Sequence, residues 1–444
     1  MELYTIPVPD AENETFILYR PLIGLAFIGN RGLVDLVYRL ADDPQTPLRS
    51  DISQFLQTVG FFQPDPPAPQ PLVGEFDPLG LTLLLTNQCQ LRCTYCYAAA
   101  GEFSRQVLPQ EYGRLAIDYA TEAVLRRGAT RLEVSMHGGG EPTFPWKTLQ
   151  ALVAYTRQKP VQTSISLTSN GIWSESQTEW ILSHMDGVSL SMDGESQTQN
   201  RQRPFVSGRP SSNWVMRSIA ALEEHSFPYT IRMTALSPWD HLARDVEFLC
   251  ENTRCANIQV EPAFNTQRGE ESEPPDGEGL GFARAFLKAH QVAAQAGRHL
   301  VYSGASLENV TAAFCNAGYN SLIVTPEGSL VACYTTTYNR HPLAPLTTIG
   351  RIQDGKIQID ESARTRLHQL LKERRQACQD CFCFWSCAGD CFAKYLTPKH
   401  GGHLVYDGRC DINRSLLRDL MLQRMAASQG VWMRYCPCRH SPGP

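Results

Sequence analysis

The chain lacks the marks of export and of a membrane. It opens MELYTIPVPDAENE, with no basic stretch followed by an apolar one, so a secretory signal is not expected. No run of about 18 apolar residues occurs, and no membrane span is predicted. Charge is sparse, at 19% of residues, and the net charge of −5 carries no basic excess. A general nucleic-acid binder or an anionic-membrane binder would show one. Cysteine, in contrast, is abundant. Fifteen cysteines without an export signal argue against a disulfide scaffold and for metal. The expectation is a cytoplasmic protein that works under reducing, oxygen-poor conditions. At 444 residues and 42% hydrophobic content there is room for two or three domains with a large core.

Residues 86–97, TNQCQLRCTYCY, place Cys89, Cys93 and Cys96 in a C-x3-C-x2-C pattern just after the apolar run 81–86. Three thiolates on a tight loop can hold three irons of a [4Fe–4S] cube, which takes one cysteine per iron. The fourth iron is then left open, as a reactive metal site requires. A zinc knuckle would need a fourth Cys or His nearby. Apart from these three cysteines, residues 72–136 contain neither.

From residue 79 to 300 strand-like and helix-like patterns alternate. Strands are predicted at 81–86, 131–136, 163–168, 187–192, 229–235 and 256–261. Helices are predicted near 109–127, 147–158, 174–184, 212–225 and 239–252, with a further helix at 281–297. Repeated βα units imply a parallel sheet, and six of them suit a partial barrel whose chemistry gathers at the C-terminal ends of the strands. The unusual residues lie at those ends: HGGGEPTF after the second strand, Ser169-Asn170-Gly171 after the third, and SMDGESQTQNRQRP after the fourth.

The cysteine motif and these elements together resemble the radical SAM superfamily. The resemblance implies a partial (β/α)6 barrel, an α/β fold, in which S-adenosylmethionine chelates the open iron and yields a 5'-deoxyadenosyl radical. Gly139, Gly140 and Glu141 match the family's GGEP element, which holds the amino group of the cofactor. Ser169 and Asn170 match its S/T-N-G turn. Ser191, with Asp193 and Gly194, fits its S-x-D-G element, and Arg203 falls at its downstream arginine. Tyr95 matches an aromatic near the adenine. Where the family carries a His-Asp pair this chain has Gln199 and Asn200, and no role passes to them. Arg232 is expected to point toward the same mouth, and residues 265–280 read as an acidic, exposed loop.

Seven more cysteines form a second pattern: Cys315, then Gly328 and Cys333, then Cys378, Cys381, Cys387 and Cys391 as C-x2-C-x5-C-x3-C, then Cys410. This resembles the SPASM extension, with two auxiliary [4Fe–4S] clusters. The resemblance assigns Cys378, Cys381, Cys387 and Cys410 to an outer cluster, and Cys315, Cys333 and Cys391 to an inner one that is a ligand short. Three readings stay open: an iron left open for a substrate heteroatom, completion by Cys383, Cys436 or Cys438, or an absent cluster. Cys250 and Cys255 read as ordinary buried cysteines.

Residues 1–70 read as a hairpin at 15–29, split by Pro21 and Gly24, followed by amphipathic stretches 31–42 and 51–61 with Asn30 and Ser50 at N-cap positions. This segment resembles leader-peptide recognition modules, which add an extended leader to a sheet edge; a plain cap on the barrel is the alternative. Residues 64–78 are proline-rich and read as a linker. The division expected is 1–70, a barrel over 79–300, a SPASM region over 301–415, and a helix with tail over 416–444. SPASM relatives mostly modify peptides. The reading is therefore a maturase that crosslinks a leader-bearing precursor peptide, carbon–carbon rather than thioether, with an electron donor such as flavodoxin or ferredoxin. A formylglycine maturase of the sulfatase type and a peptide epimerase are the alternatives. Sulfatase maturases carry an Asp after the cysteine that corresponds to Cys333; here Tyr334 stands there.

Overall fold

The computed structural model describes residues 1–9, 14–43, 45–264, 267–269, 277–316, 318–395 and 408–434. The chain begins with three antiparallel strands, β1 (Tyr4–Pro7), β2 (Thr15–Arg20) and β3 (Leu25–Asn30). The hairpin turns at Pro21 and Gly24, where a φ of 65° favours glycine. β1 escapes the sequence reading because four residues ending in proline give almost no alternation. Asn30 caps α1 (Arg31–Asp42), its Oδ1 accepting from the Leu33 N–H at 3.0 Å. Ser50 does not cap α2 (Ser50–Thr58) but is its first residue; Arg49 precedes it without a side-chain cap and pairs with Asp51. Phe16, Leu18, Phe27, Val34, Val37, Leu56 and Phe61 close the helices onto one face of this sheet. Each such burial stabilises by about 1.5–3 kcal/mol.

Residues 64–78 contain no regular element and lead into β4 (Gly80–Leu84). The barrel then runs α3 (Gln110–Arg126), β5 (Arg131–His137), α4 (Trp146–Arg157), β6 (Gln162–Ser169), α5 (Glu175–His184), β7 (Gly187–Ser191), α6 (Ser196–Gln202), α7 (Ser212–Glu224), β8 (Tyr229–Leu236), α8 (Leu242–Asn252), β9 (Asn257–Ala263) and α9 (Glu278–Gln295). All six predicted strands are present and pair in parallel in chain order. Leu81 and Leu83 on one face of β4, with Val134 and Met136 of β5, are wholly or almost wholly buried. The alternate residues of β5, Glu133 and Ser135, are exposed or half-buried, so the strand buries the helix-covered face and leaves the other to the barrel interior.

The sheet does not stop at six strands. β10 (His299–Val301) adds in parallel beyond β9, and β11 (Ser321–Val324) adds in parallel beside β4. From β11 the same sheet continues antiparallel through β12 (Ser329–Val331), β13 (Thr348–Gln353) and β14 (Lys356–Ile359), with α10 (Ala344–Thr347) between β12 and β13. The cysteine-rich region is therefore an extension of the barrel's own sheet. α11 (Glu361–Gln376), α12 (Phe384–Cys387), α13 (Phe392–Tyr395) and α14 (Gly408–Ala426) follow. α14 packs on α9 and runs across residue 415, the expected domain boundary. The chain then returns to its start: β15 (Val431–Met433) pairs antiparallel with β3. Among the described residues no helix is long and apolar enough to cross a membrane.

Candidate active site

Parallel strands deliver all their C-terminal ends to one mouth, and β4, β5, β6 and β7 bring the motif residues there. β4 ends in Thr86, whose hydroxyl donates to the Gln106 carbonyl at 2.7 Å and accepts the Gln88 N–H at 3.1 Å. This turns the chain into the cysteine loop. The glycine segment after β5 is then fastened to that loop. Gly140 N–H donates to the Thr86 carbonyl and Glu141 N–H to the Gln88 carbonyl, both at 2.8 Å. A Cβ on Gly140 would stand 2.1 Å from the Gln88 carbonyl oxygen. The approach is open to glycine alone.

The Glu141 side chain is buried and ties two strand ends together. Its Oε1 accepts from the hydroxyls of Ser169, at 2.7 Å, and Thr143, at 2.8 Å. Its Oε2 accepts the Asn170 N–H at 2.9 Å. Burial pushes this carboxyl above its ordinary range, and the hydrogen bonds pull it back.

A cavity of about 560 Å³ opens between these segments, lined by Cys89, Cys93, Cys96, Gly139, Gly140, Glu141, Ser169, Asn170, Ser191 and Arg203. Every residue expected at the cofactor reaches it except Tyr95. The Tyr95 hydroxyl instead donates to Asp193 Oδ2 at 2.5 Å and accepts from Arg203 Nη1 at 2.8 Å. Asp193 is fully buried and also accepts the Thr234 N–H, so Tyr95 lies behind the wall as part of an anchor. Tyr97, His137 and Thr168 also line the cavity and were given no role, because they stand beside the matched motif positions rather than on them. Gln199 and Asn200 are structural: Gln199 accepts the Asp193 N–H, and Asn200 accepts the N–H groups of Ser211 and Ser212 where α7 starts. Arg232 is exposed on β8, and its charge acts on His137 and Tyr97, which places it at the mouth. Burial lowers His137 to about 4, so it is neutral near neutral pH.

The three thiols fit a cluster. They share one cavity wall, and burial pushes Cys89 up to about 12 and Cys93 to about 11, so metal must displace their protons. Among the described residues no three His, Cys, Asp or Glu side chains converge on a single-ion site. A cube with one thiolate per iron spreads its ligands further apart.

The acidic loop expected over 265–280 is corrected in part. Arg268 is not a solvated loop residue; it donates to the Cys93 carbonyl at 2.5 Å and to the Ala100 carbonyl at 2.9 Å. α9 begins at Glu278, inside the expected loop, and 265–266 and 270–276 lie outside the described residues.

In the cysteine-rich region Cys378, Cys381, Cys387 and Cys410 line a second cavity of about 320 Å³, together with Cys383. A hydrogen bond from Cys383, helped by the Arg414 guanidinium, holds Cys381 down to about 5. Cys383 thus sits with the outer set. Burial pushes the Cys391 thiol up, and Cys333 and Cys315 add to that; the assignment of these three to an inner set is what the resemblance implies. Cys436 and Cys438 lie outside the described residues. Replacing Cys410 by Ser is expected to lower iron content by about four atoms per chain, whereas Cys383→Ser leaves it unchanged, as measured by iron analysis after reconstitution.

The two sets are joined by a strained link. Ala388, Gly389 and Asp390 have φ of 46°, 89° and 62° in succession, and each non-glycine residue there costs about 1 kcal/mol. The buried Asp390 carboxylate holds the link, accepting from Arg409 Nε at 3.0 Å and from Asn413 at 2.9 Å. Asp390→Ala leaves the Arg409 guanidinium without this carboxylate. The expected loss is about 3–5 kcal/mol, read by denaturant unfolding of the cluster-free chain.

Cys255 is buried beside the start of β9, its thiol donating to the Asn257 carbonyl at 3.1 Å. That is the opposite end of the strand from the mouth. Cys250 lies half-buried on α8.

Residues 83–249 match the Radical SAM superfamily. The sporulation killing factor maturation protein SkfB of Bacillus subtilis (strain 168) is 25% identical over 269 residues, covering 58% of this chain and 60% of that protein. The GTP 3',8-cyclase of Photorhabdus laumondii subsp. laumondii is 30% identical over 148 residues, covering 32% of this chain and 41% of that protein. The chain thus spans between 35% and 60% of the curated relatives it matches. Among solved structures, native anSMEcpe with bound AdoMet and Cp18Cys peptide aligns with a TM-score of 0.60 at 17% identity, covering 79% of this chain and 99% of that one. Streptococcus suis SuiB bound to precursor peptide SuiA aligns with a TM-score of 0.52 at 15% identity, covering 72% and 73%. At those identities the likeness is one of fold. The family match begins in the strand that feeds the cysteine loop and ends in α8, so it covers the barrel segment in which Cys89, Cys93, Cys96 and the glycine, Ser-Asn and Asp-Gly elements lie.

Proposed function

We propose that this enzyme matures a ribosomally made precursor peptide, taking hydrogen from it and closing an intramolecular crosslink, carbon–carbon in preference to thioether. The observation that carries the reading is the contact between the cysteine-rich region and the mouth. The Tyr334 ring stacks on His137 with centroids 5.4 Å apart, and a Cβ on Gly139 would lie 2.9 Å from Thr337. The segment that holds Cys333 therefore forms one side of the space where a substrate would lie. When bound, the cofactors would supply a hydrogen-abstracting radical at Cys89, Cys93 and Cys96, and a one-electron acceptor at the Cys333 side. Crosslinking needs both, because the peptide loses two hydrogens overall.

The chain's own residues shape the space. Tyr97 and His137 present a ring and a neutral imidazole to the cavity, and Arg232 offers a cation at its rim. Tyr334 brings a phenol where a formylglycine maturase would bring a carboxylate base. Cys255 faces away from the mouth, so an epimerase would have to find its hydrogen donor elsewhere. Peptide modification is further supported by the likeness to SkfB, a maturation protein, and to SuiB, crystallised with a precursor peptide.

The amino-terminal sheet is the proposed leader site. Its order is β1-β2-β3-β15, so the chain's own last strand closes the β3 edge. No other strand among the described residues pairs with β1, and a leader would add there through main-chain hydrogen bonds. A small acidic carrier such as flavodoxin or ferredoxin is the proposed electron donor.

Mass spectrometry of a peptide encoded beside this gene, after anaerobic co-expression, tests the reading. A loss of two hydrogens with every thiol still open to alkylation is expected. The same loss with a blocked thiol would redirect the reading to thioether chemistry. An unchanged mass, with deuterium gained from solvent at an α-carbon, would replace crosslinking by epimerisation.

A further inference from the structure

The loop carrying Cys89, Cys93 and Cys96 is held from two sides. From inside the barrel comes Arg203, which lines the same cavity as Cys93 and whose guanidinium is anchored on Tyr95 and Asp193. From outside comes residue 268, in the segment that follows β9, far away in sequence and in no motif. The Arg268 fork spans the loop, with Nη1 on the Cys93 carbonyl at 2.5 Å and Nη2 on the Ala100 carbonyl at 2.9 Å. Its Nε binds Glu102 of the same loop. The next residue, Gly269, donates its N–H to the Cys96 carbonyl at 2.8 Å, with a φ of 80° that favours glycine. Carbonyls of two of the three ligand cysteines are thus satisfied by two consecutive residues, and the arginine side chain is 17% exposed.

Two consequences follow from this geometry. The peptide groups between 93 and 102 form turns and no helix or strand, so the loop relies on individual contacts, of which the Arg268 fork is one that ties its two ends, Cys93 and Ala100, together. A bidentate fork with a third contact fixes them where a lysine could satisfy only one. The hydrogen bond to the Cys93 carbonyl also sets the guanidinium charge against the backbone of a ligand cysteine. A positive charge beside a thiolate-bound cluster favours the form with one more electron, and Glu102, bound to the same guanidinium, offsets part of that charge.

We infer that Arg268 is a positioning residue for the radical-generating site, with two separable effects: its fork sets the shape of the cysteine loop, and its charge, moderated by Glu102, sets the reduction potential of the cluster that loop holds. Neither effect depends on the identity of the peptide.

The experiment uses the full chain and the variants Arg268→Gln, Arg268→Lys and Glu102→Gln. Two quantities are read. One is amide hydrogen exchange over residues 93–101 in the cluster-free protein. The other is the midpoint potential, by electron paramagnetic resonance titration, of the cluster whose signal changes when S-adenosylmethionine is added. In Arg268→Gln, exchange should quicken by about tenfold or more as the carbonyl contacts are lost, and the potential should fall. Arg268→Lys keeps the charge without the fork, so exchange should quicken while the potential stays near that of the parent. Glu102→Gln should raise the potential. If Arg268→Gln takes up no cluster, the opposite responses of the other two variants still decide the matter. Unchanged exchange in both Arg268 variants would overturn the positioning role. A potential that does not move upward in Glu102→Gln would overturn the electrostatic one.

Discussion

Exchanging Cys89, Cys93 and Cys96 together for alanine abolishes formation of 5'-deoxyadenosine from S-adenosylmethionine while leaving the fold in place. The three thiols are partly buried on a loop at the mouth and belong to none of the hydrophobic core beneath it. Their removal should therefore change the unfolding free energy of the cluster-free chain by no more than about 1 kcal/mol, the scale of substitutions outside a core. Chemistry has no such reserve, because each iron takes one thiolate and, among the described residues, no other cysteine lines this cavity. Chromatography of the nucleoside products, beside a thermal melt of the same sample, separates the two effects.

The second large effect comes from a single methyl group. Gly140→Ala puts a Cβ 2.1 Å from the Gln88 carbonyl oxygen, a distance no real contact tolerates. That obstacle is backbone, held by the Glu141 N–H and continuous with Cys89, so relief requires the glycine segment and the cysteine loop to part. Both form walls of the cofactor cavity. A displacement of about 1 Å costs on the order of 100-fold where reacting groups must be aligned. The rate of 5'-deoxyadenosine formation, measured by chromatography, should fall by about that factor, with weaker binding of S-adenosylmethionine in equilibrium dialysis. Gly171→Ala is a useful comparison. It meets side chains of Leu190 and Val215 and should cost stability more than cofactor affinity.

The barrel was legible because its strands are apolar runs that end in unusual residues. Strand pairing then brings Cys89, Gly140, Ser169 and Ser191 to one cavity without any need for long loops. What remained hidden has physical causes. β1, β10 and β15 are three or four residues long, too short for a periodic pattern to emerge, and each exists because an edge was waiting for it. The joining of the cysteine-rich region to the barrel through β11 depends on pairing across more than 200 residues, which local pattern does not encode. Arg268 sits in a stretch whose acidic composition suggested a solvated loop, and only tertiary structure places it on the cysteine loop. Tyr95 shows the reverse case. The motif position was read as an aromatic near the adenine, but its hydroxyl binds Asp193 and Arg203 and the residue does not line the cavity.

The division of the auxiliary cysteines was carried by resemblance; Cys378, Cys381, Cys387 and Cys410 line one cavity, and Cys383 lines it too. The buried Asp390–Arg409 pair between them was not signalled, because an acidic residue between two cysteines and an arginine beside a third look like surface in the sequence.

The central claim is that the radical formed at this mouth takes hydrogen from a peptide. It is tested most directly by giving the reduced, cluster-loaded enzyme a precursor peptide labelled with deuterium on carbon, and weighing the 5'-deoxyadenosine released. The account predicts a nucleoside heavier by one deuterium and a peptide lighter by the transferred deuterium and one further hydrogen. Unlabelled 5'-deoxyadenosine beside an unmodified peptide, from enzyme shown to bind that peptide, would contradict it.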